Sequence, residues 1–205
     1  DIDLATNLKP DEVCGALKSN NINYYESGIE HGTITAVIDN KKFEITSLRK
    51  DILTDGRHAK VEFSLDWKED ASRRDFTINA IYADREGNIF DPFNGKKDLE
   101  DGVISFIGDA ENRIKEDYLR ILRYIRFYLS YSKKTHDLKI IKIIRRNLQG
   151  VVNLSSERLL DEFKKLTTLA NFQKLLQDQD CLEIIQLIFP QFKKFHIFKN
   201  PNLYI

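Results

Sequence analysis

The stretch Gly32-Thr33-Ile34-Thr35-Ala36-Val37-Ile38 alternates apolar and polar residues. It is followed by Asp39-Asn40-Lys41-Lys42 and by a second alternating run, Phe43-Glu44-Ile45-Thr46-Ser47-Leu48. Period two on both sides of a polar tetrad predicts strand, turn and strand. Upstream, Pro10 opens a predicted helix to about Ser19, with Asp11 and Glu12 in its first turn where the helix dipole favours acids. Downstream, residues 50–66 are mixed and polar and predict a surface loop, and a helix is expected over much of 67–80. Ile81–Ala83 and Ile89–Phe90 flank Glu86-Gly87 as a second hairpin. From Asp109 onward strand signals give way to helical periodicity. The reading is an α+β fold. It has a head with a small mixed or antiparallel sheet over residues 1–108, closing at Gly108 after Val103-Ile104-Ser105-Phe106-Ile107, and an all-helical neck and start of a body over 109–205. Residues 199–205 carry no periodicity, and no internal repeat is present.

Composition narrows the class. The 205 residues are 41% hydrophobic and 11% aromatic, enough to build a core. No apolar run approaches the ~18 residues of a membrane span, and the start, Asp1-Ile2-Asp3, lacks the cationic and apolar regions of a signal peptide. Two cysteines, Cys14 and Cys181, are too few for a disulfide framework and point to a reducing, cytoplasmic setting. The chain contains no Met, which is expected of a processed or incomplete sequence. Its net charge of zero conceals an asymmetry: residues 1–100 hold 14 basic and 20 acidic residues, and residues 101–205 hold 18 and 12. Acids at the front and bases behind suit either a metal site beside a polyanion site or two solvated faces.

Three groups of residues carry candidate chemistry. Asp1 and Asp3 fall on one face of an extended strand, with Ile2 and Leu4 on the other. Two convergent carboxylates suit Mg²⁺, which keeps positions open for water and phosphate oxygens. Glu44 is either a third carboxylate over the same cleft or an exposed strand residue.

The second group is Arg73-Arg74-Asp75-Phe76-Thr77-Ile78-Asn79. Guanidinium groups supply fork-like donors for phosphate or ribose oxygens. Asp75 either accepts from a ribose hydroxyl or pairs with the neighbouring arginines. Asn79, four residues on, shares its helical face.

The third is a helix expected from about Asp117 to Tyr131. Tyr118, Leu122, Ile125 and Leu129 form an apolar stripe roughly 60° wide at helical spacing, while Asp117, Arg120, Arg123 and Arg126 wind around the remaining surface. With no acid interspersed among the three arginines, a bound anion is the expected relief of their repulsion. Asp117 and Arg120 together present an acceptor beside a donor, matching the amino group and ring nitrogen that cytosine and adenine share. Uracil and guanine would leave one of the pair facing a like group, at the cost of an unsatisfied polar atom. The plainer alternative is an i,i+3 salt bridge at a helix start. Farther on, Lys139, Lys142, Arg145 and Arg146 either contact an RNA backbone or form an exposed helix face.

Taken together, Asp1-Ile2-Asp3, Arg73-Arg74-Asp75-Phe76-Thr77-Ile78-Asn79, Glu116-Asp117-Tyr118-Leu119-Arg120 with Arg123 and Arg126-Phe127, and Glu157-Arg158 with Glu162 resemble the bacterial class II tRNA nucleotidyltransferase and poly(A) polymerase family. These are polymerase-beta-like nucleotidyltransferases, and the resemblance covers residues 1 to about 165.

The resemblance implies that Asp1 and Asp3 bind the catalytic metal, Mg²⁺. It implies that Arg74 contacts nucleotide or ribose, and that Asp117 and Arg120 template the incoming base. Arg123 and Arg126 would contact the nucleotide and its phosphates, while Arg158 and Glu162 would steady the neck helices. The implied reaction is addition of C and A to a tRNA or other RNA 3′ end from CTP and ATP. The implied alternatives are a poly(A) polymerase on the same scaffold and a non-catalytic RNA-binding or partner-dependent fragment. Family members carry a Gly-Gly-x-x-Arg-Asp segment just before the Asp-x-Asp, so the chain is expected to be a fragment that begins after it. No membrane partner is implied, and no particular oligomeric state.

Overall fold

The computed structural model describes residues 3–54 and 59–197 and divides the chain into two compact units. The first comprises Asp1–Arg74 and Ala80–Pro92, the second Asp75–Asn79 and Phe93–Ile205. Asp1 and the aperiodic residues 199–205 lie outside the described residues.

The first unit is built on a four-stranded mixed sheet in the order β1 (Asp3–Thr6), β4 (Lys41–Ser47), β3 (Thr33–Ile38), β2 (Asn23–Gly28). The expected hairpin is β3–β4, antiparallel from Thr33↔Thr46 to Ile38↔Lys41. Asp39 and Asn40 form its two-residue loop, both at positive φ (50° and 60°), as a tight hairpin turn of this hand requires. β1 joins β4 in parallel. Helix α1 (Pro10–Ser19) covers one face, where its Val13 and Leu17, one turn apart, pack with Ile34 and Ala36 of β3. The alternating pattern leaves the opposite face of the sheet to Asp3, Glu44 and Thr35, adjacent in register across three strands.

The stretch 50–66 contains strands where a loop was expected. β5 (Arg49–Thr54) and β6 (Ala59–Phe63) pair antiparallel, and the alternation Ala59-Lys60-Val61-Glu62-Phe63 was the available signal for the second. The helix expected over 67–80 is shorter. α2 (Trp67–Ser72), capped by Asp66 accepting from the Lys68 N–H, ends there, and Thr77–Asn79 form a 3-10 turn. β7 (Tyr82–Ala83) and β8 (Ile89–Phe90) make the second expected hairpin.

The second unit contains α3 (Gly95–Asp101), α4 (Ala110–Glu116), α5 (Arg120–Tyr131), α6 (Leu138–Asn147), α7 (Ser156–Thr167), α8 (Lys174–Gln177) and α9 (Gln179–Ile188). Its core is the buried face of α5, namely Ile121, Leu122, Tyr124, Ile125 and Leu129, packed with Phe76, Phe106, Ile114, Ile144 and Ile184. Asp75–Asn79 and the segment from Phe93 thus group with the helices. Fully buried Phe76 packs against Phe106 and Phe127, with ring centroids 4.8 and 5.2 Å away. The Thr77 N–H donates to the Ser105 carbonyl and the Ile107 N–H to the Asp75 carbonyl, each at 3.0 Å. Backbone pairing and aromatic burial thus tie both segments to the helices. Gly95 allows the close approach here, since a Cβ at this position would stand 2.1 Å from the Thr77 carbonyl oxygen.

Candidate functional site

In the first unit, Asp3 is an exposed residue of β1, directly opposite Glu44 of β4. Parallel pairing in register puts both side chains on the face away from α1. Two hard oxygen donors thus stand side by side on an open surface, the donor chemistry that Mg²⁺ selects. Glu44 joins Asp3 through strand pairing, which the local sequence did not encode.

Arg74 sits at the end of α2, where Nη2 donates to Oδ2 of Asp70 at 3.3 Å and the guanidinium lies 5.0 Å from the Tyr82 ring centre. Arg73 donates to the other oxygen of Asp70 from Nε (3.0 Å) and Nη2 (2.7 Å). The Tyr82 hydroxyl donates to Oδ2 at 2.6 Å and the Arg49 N–H to Oδ1 at 3.2 Å. Asp70 is 1% exposed. Burial alone would raise its pKa, but the Arg73 charge, the Tyr82 and Arg73 hydrogen bonds and the Arg74 charge together hold it below the usual carboxylate value. Burial and the bond to Asp70 push the Tyr82 phenol up. Asp70 was absent from the candidates, although its i,i+3 and i,i+4 spacing to Arg73 and Arg74 carried a signal.

In the second unit, Asp75 pairs with Arg123 of α5, whose Nε donates to Oδ2. Its Oδ1 accepts from the Phe76 N–H and from Asn79 Nδ2, both at 3.0 Å, so the i,i+4 relation to Asn79 is realised without a continuous helix.

The helix expected from about Asp117 to Tyr131 begins three residues later, at Arg120. α4 ends at Glu116, Asp117 is extended, and α5 begins at Arg120. Asp117 Oδ1 accepts from the Leu119 N–H (3.1 Å) and Oδ2 from Arg158 Nη2 of α7 (2.7 Å). Arg120 Nη1 donates to Glu116 Oε2 and to the Arg113 carbonyl, both at 2.6 Å. Asp117 and Arg120 are thus not salt-bridged to each other. Each is held by a third group, leaving Nε and Nη2 of Arg120 without a partner among the described residues.

Arg126 donates from Nε to buried Glu162 of α7 and lies 4.6 Å from the Phe127 ring centre. The expectation that the three arginines lack acids is therefore corrected. Arg120 has Glu116, Arg123 has Asp75 and Arg126 has Glu162, one acid from the preceding helix and two from distant segments. On α7, Arg158 pairs with Asp117 and Glu162 with Arg126, so both residues join α7 to other segments of the helical unit.

On α6, Arg145 pairs with Asp180 and Glu183, and Arg146 with Glu111, whereas Lys139 and Lys142 have no ion pair among the described residues. Of these four candidate RNA contacts, Arg145 and Arg146 are thus already engaged in packing α6 against α9 and α4.

The family model described as the poly A polymerase head domain matches residues 1–105. The chain belongs to this family. The head-domain match contains Asp3, Glu44, Arg74 and Asp75, and ends before Asp117 and the three α5 arginines. Beyond the head domain, similarity extends through most of the chain. It is 46% identical over 169 residues to human CCA tRNA nucleotidyltransferase 1, mitochondrial, covering 81% of this chain and 39% of that protein. It is 38% identical over 191 residues to the CCA-adding enzyme of Staphylococcus haemolyticus, covering 92% and 45%. Among solved structures it resembles the Bacillus stearothermophilus CCA-adding enzyme in complex with CTP, with a TM-score of 0.72 and 30% identity over 92% of this chain and 42% of that one. The chain thus spans about two fifths of the length of these relatives. Among the described residues no helix is long and apolar enough to cross a membrane.

Proposed function

We propose that the chain carries the nucleotidyl-transferring part of an enzyme that adds C and A residues to tRNA 3′ ends, using CTP and ATP and releasing pyrophosphate. The observation that carries this reading is the Asp117–Arg120 arrangement. An acceptor held by Arg158 and the Leu119 N–H stands three residues from a donor held by Glu116 and the Arg113 carbonyl. Because neither group is neutralised by the other, both are preorganised to meet a base edge with one donor and one acceptor, as cytosine and adenine have. The names of the relatives, and the CTP bound in the Bacillus stearothermophilus structure, support the same reading.

In the proposed reaction the RNA 3′-oxygen bonds to the α-phosphorus of the incoming nucleotide as the bond to the pyrophosphate oxygen breaks. Asp117 and Arg120 select the base. Arg123 and Arg126, each oriented by a buried carboxylate, supply positive charge for the nucleotide phosphates. Arg74, braced by Asp70 and Tyr82, donates to ribose or phosphate oxygens. The paired carboxylates of Asp3 and Glu44 fit a hard divalent cation, and we assign them, with Asp1 outside the described residues, to hold Mg²⁺. When bound, such an ion lowers the pKa of the attacking hydroxyl and offsets charge on the leaving group. The two free cysteines accord with a reducing, cytoplasmic setting.

The test offers each of the four nucleoside triphosphates to a tRNA lacking its 3′-terminal C and A residues. Incorporation of C and then A, and its relaxation toward U and G in Arg120→Ala, is the expected result. Long tails built from ATP alone would instead indicate a poly(A) polymerase. RNA binding without Mg²⁺-dependent transfer, even with a Gly-Gly-x-x-Arg-Asp segment supplied in cis or trans, would indicate a non-catalytic fragment.

A further inference from the structure

His136, Asp178 and Cys181 form a second cluster in the helical unit, unused by the reaction above. His136 lies in the turn before α6, and Asp178 caps α9, accepting from the Cys181 N–H at 2.9 Å. His136 Nε2 is 3.1 Å from each carboxylate oxygen of Asp178 and 3.4 Å from Cys181 Sγ. All three potential ligand atoms lie within 4.8 Å of one another. Cys181 is fully buried and the His136 side chain is 5% exposed.

We infer that this cluster is a binding site for a divalent d-block cation of the zinc class, taking Cys181 Sγ, His136 Nε2 and an Asp178 oxygen as ligands. A tetrahedral zinc with bonds of about 2.3 Å to sulfur and about 2.0 Å to nitrogen and oxygen spaces its ligand atoms by about 3.6 Å (N to S) and about 3.3 Å (N to O). The separations from Nε2, 3.4 Å to sulfur and 3.1 Å to oxygen, are within a few tenths of an ångström of these, and sulfur and oxygen lie within 4.8 Å of each other.

The donor set is also selective. Thiolate and imidazole favour zinc or cobalt, whereas Mg²⁺ prefers the all-oxygen pair on the sheet. A further contact fits the role: Tyr124 Oη lies 3.1 Å from Nδ1, the other ring nitrogen. There it can accept the Nδ1 proton and fix the tautomer that presents a bare Nε2 to the cation. Tyr128 stacks on the imidazole with ring centres 3.5 Å apart and holds its plane.

On binding, the Cys181 thiol releases its proton to solvent as the metal–sulfur bond forms. Water or the second Asp178 oxygen completes the coordination. Its burial makes this a structural clasp, joining the start of α9 to the turn before α6.

The test titrates Co²⁺ into the full chain after treatment with a chelator and a phosphine reductant. We expect thiolate-to-cobalt absorption in the near ultraviolet and intense visible bands of a four-coordinate ion, saturating at about one equivalent and bleached by Zn²⁺. Cys14→Ser should retain both features, Cys181→Ser should lose the thiolate absorption, and Tyr124→Phe should weaken binding by about 10-fold. Zn²⁺ should also raise the melting temperature. A flat titration of natively folded wild-type chain overturns the inference, as does thiolate absorption that survives Cys181→Ser. Should Cys181→Ser fail to fold, His136→Gln replaces it, with loss of the visible bands expected and their persistence unchanged counting against the site.

Discussion

Arg123 donates through Nε to Oδ2 of Asp75, a partner forty-eight residues earlier in the chain. The other Asp75 oxygen is occupied by the Phe76 N–H and Asn79, so the carboxylate is engaged on every side and sets the direction of the guanidinium. Burial would raise the Asp75 pKa, but the Arg123 charge and the hydrogen bonds from Arg123, Asn79 and Phe76 hold it below the usual carboxylate value. On Arg123, the charge and hydrogen bond of Asp75 outweigh burial in the other direction and hold its pKa up. Removing one partner leaves a largely buried charge uncompensated. Asp75→Ala is expected to cost about 3–5 kcal/mol in urea unfolding, and the double variant with Arg123→Ala less than the sum of the two. Strict additivity would count against the pair.

The same depression predicts acid sensitivity. Asp70 and Asp75 both have folded pKa values below their unfolded ones, roughly 3.9. Their contribution is therefore complete above about pH 5 and is lost as pH falls through the unfolded and then the lower folded values. Unfolding free energy measured from pH 7 down to 2 should decline in that acid window, and Asp75→Asn should decline less steeply. A profile identical to wild type would exclude Asp75 as a source.

On the proposed reaction, Glu44→Gln should raise the Mg²⁺ concentration needed for half-maximal transfer by roughly 10-fold. Circular dichroism should be unchanged, because Glu44 is exposed on the sheet. Asp3→Ala should abolish transfer. An unaltered Mg²⁺ dependence in Glu44→Gln would remove that residue from the metal site.

Arg158 touches Asp117 from α7, so Arg158→Ala should act at a distance from the base. Discrimination of C and A against U and G is expected to fall about tenfold, worth about 1.4 kcal/mol, as Asp117 loses its fixed direction. A fall in overall rate with base choice intact would make Arg158 a general brace only.

Gly150 lies beneath Tyr118, and a Cβ there would come within 2.0 Å of the ring. Gly150→Ala should displace Tyr118, the residue after Asp117, and cost about 1–3 kcal/mol in thermal unfolding. Tyr118→Ala should relieve much of that cost in the double variant.

Local pattern was enough for much of the fold. Alternation specified β3 and β4, Pro10 with its acidic first turn specified α1, and helical spacing placed Leu122, Ile125 and Leu129 in the core. The order of Asp-x-Asp, Arg-Arg-Asp and Glu-Asp-x-x-Arg motifs, by its resemblance, indicated the family. Polarity masked β5 and β6, whose pairing is not expressed as a continuous apolar run. The helix expected over much of 67–80 stops at Ser72, and Phe76 beyond it is buried against Phe106 and Phe127, a long-range contact that local periodicity does not record.

The amino-acid sequence by itself determined which charged groups are present and which faces of local elements bear them, because side-chain direction follows the period of strand or helix. Only the tertiary structure decided their partners. Asp3 acquired Glu44 through strand pairing, Arg123 acquired Asp75, Arg126 acquired Glu162 and Asp117 acquired Arg158. A buried or half-buried charge takes its partner from whichever segment packs against it, and that choice depends on long-range packing that no local period records.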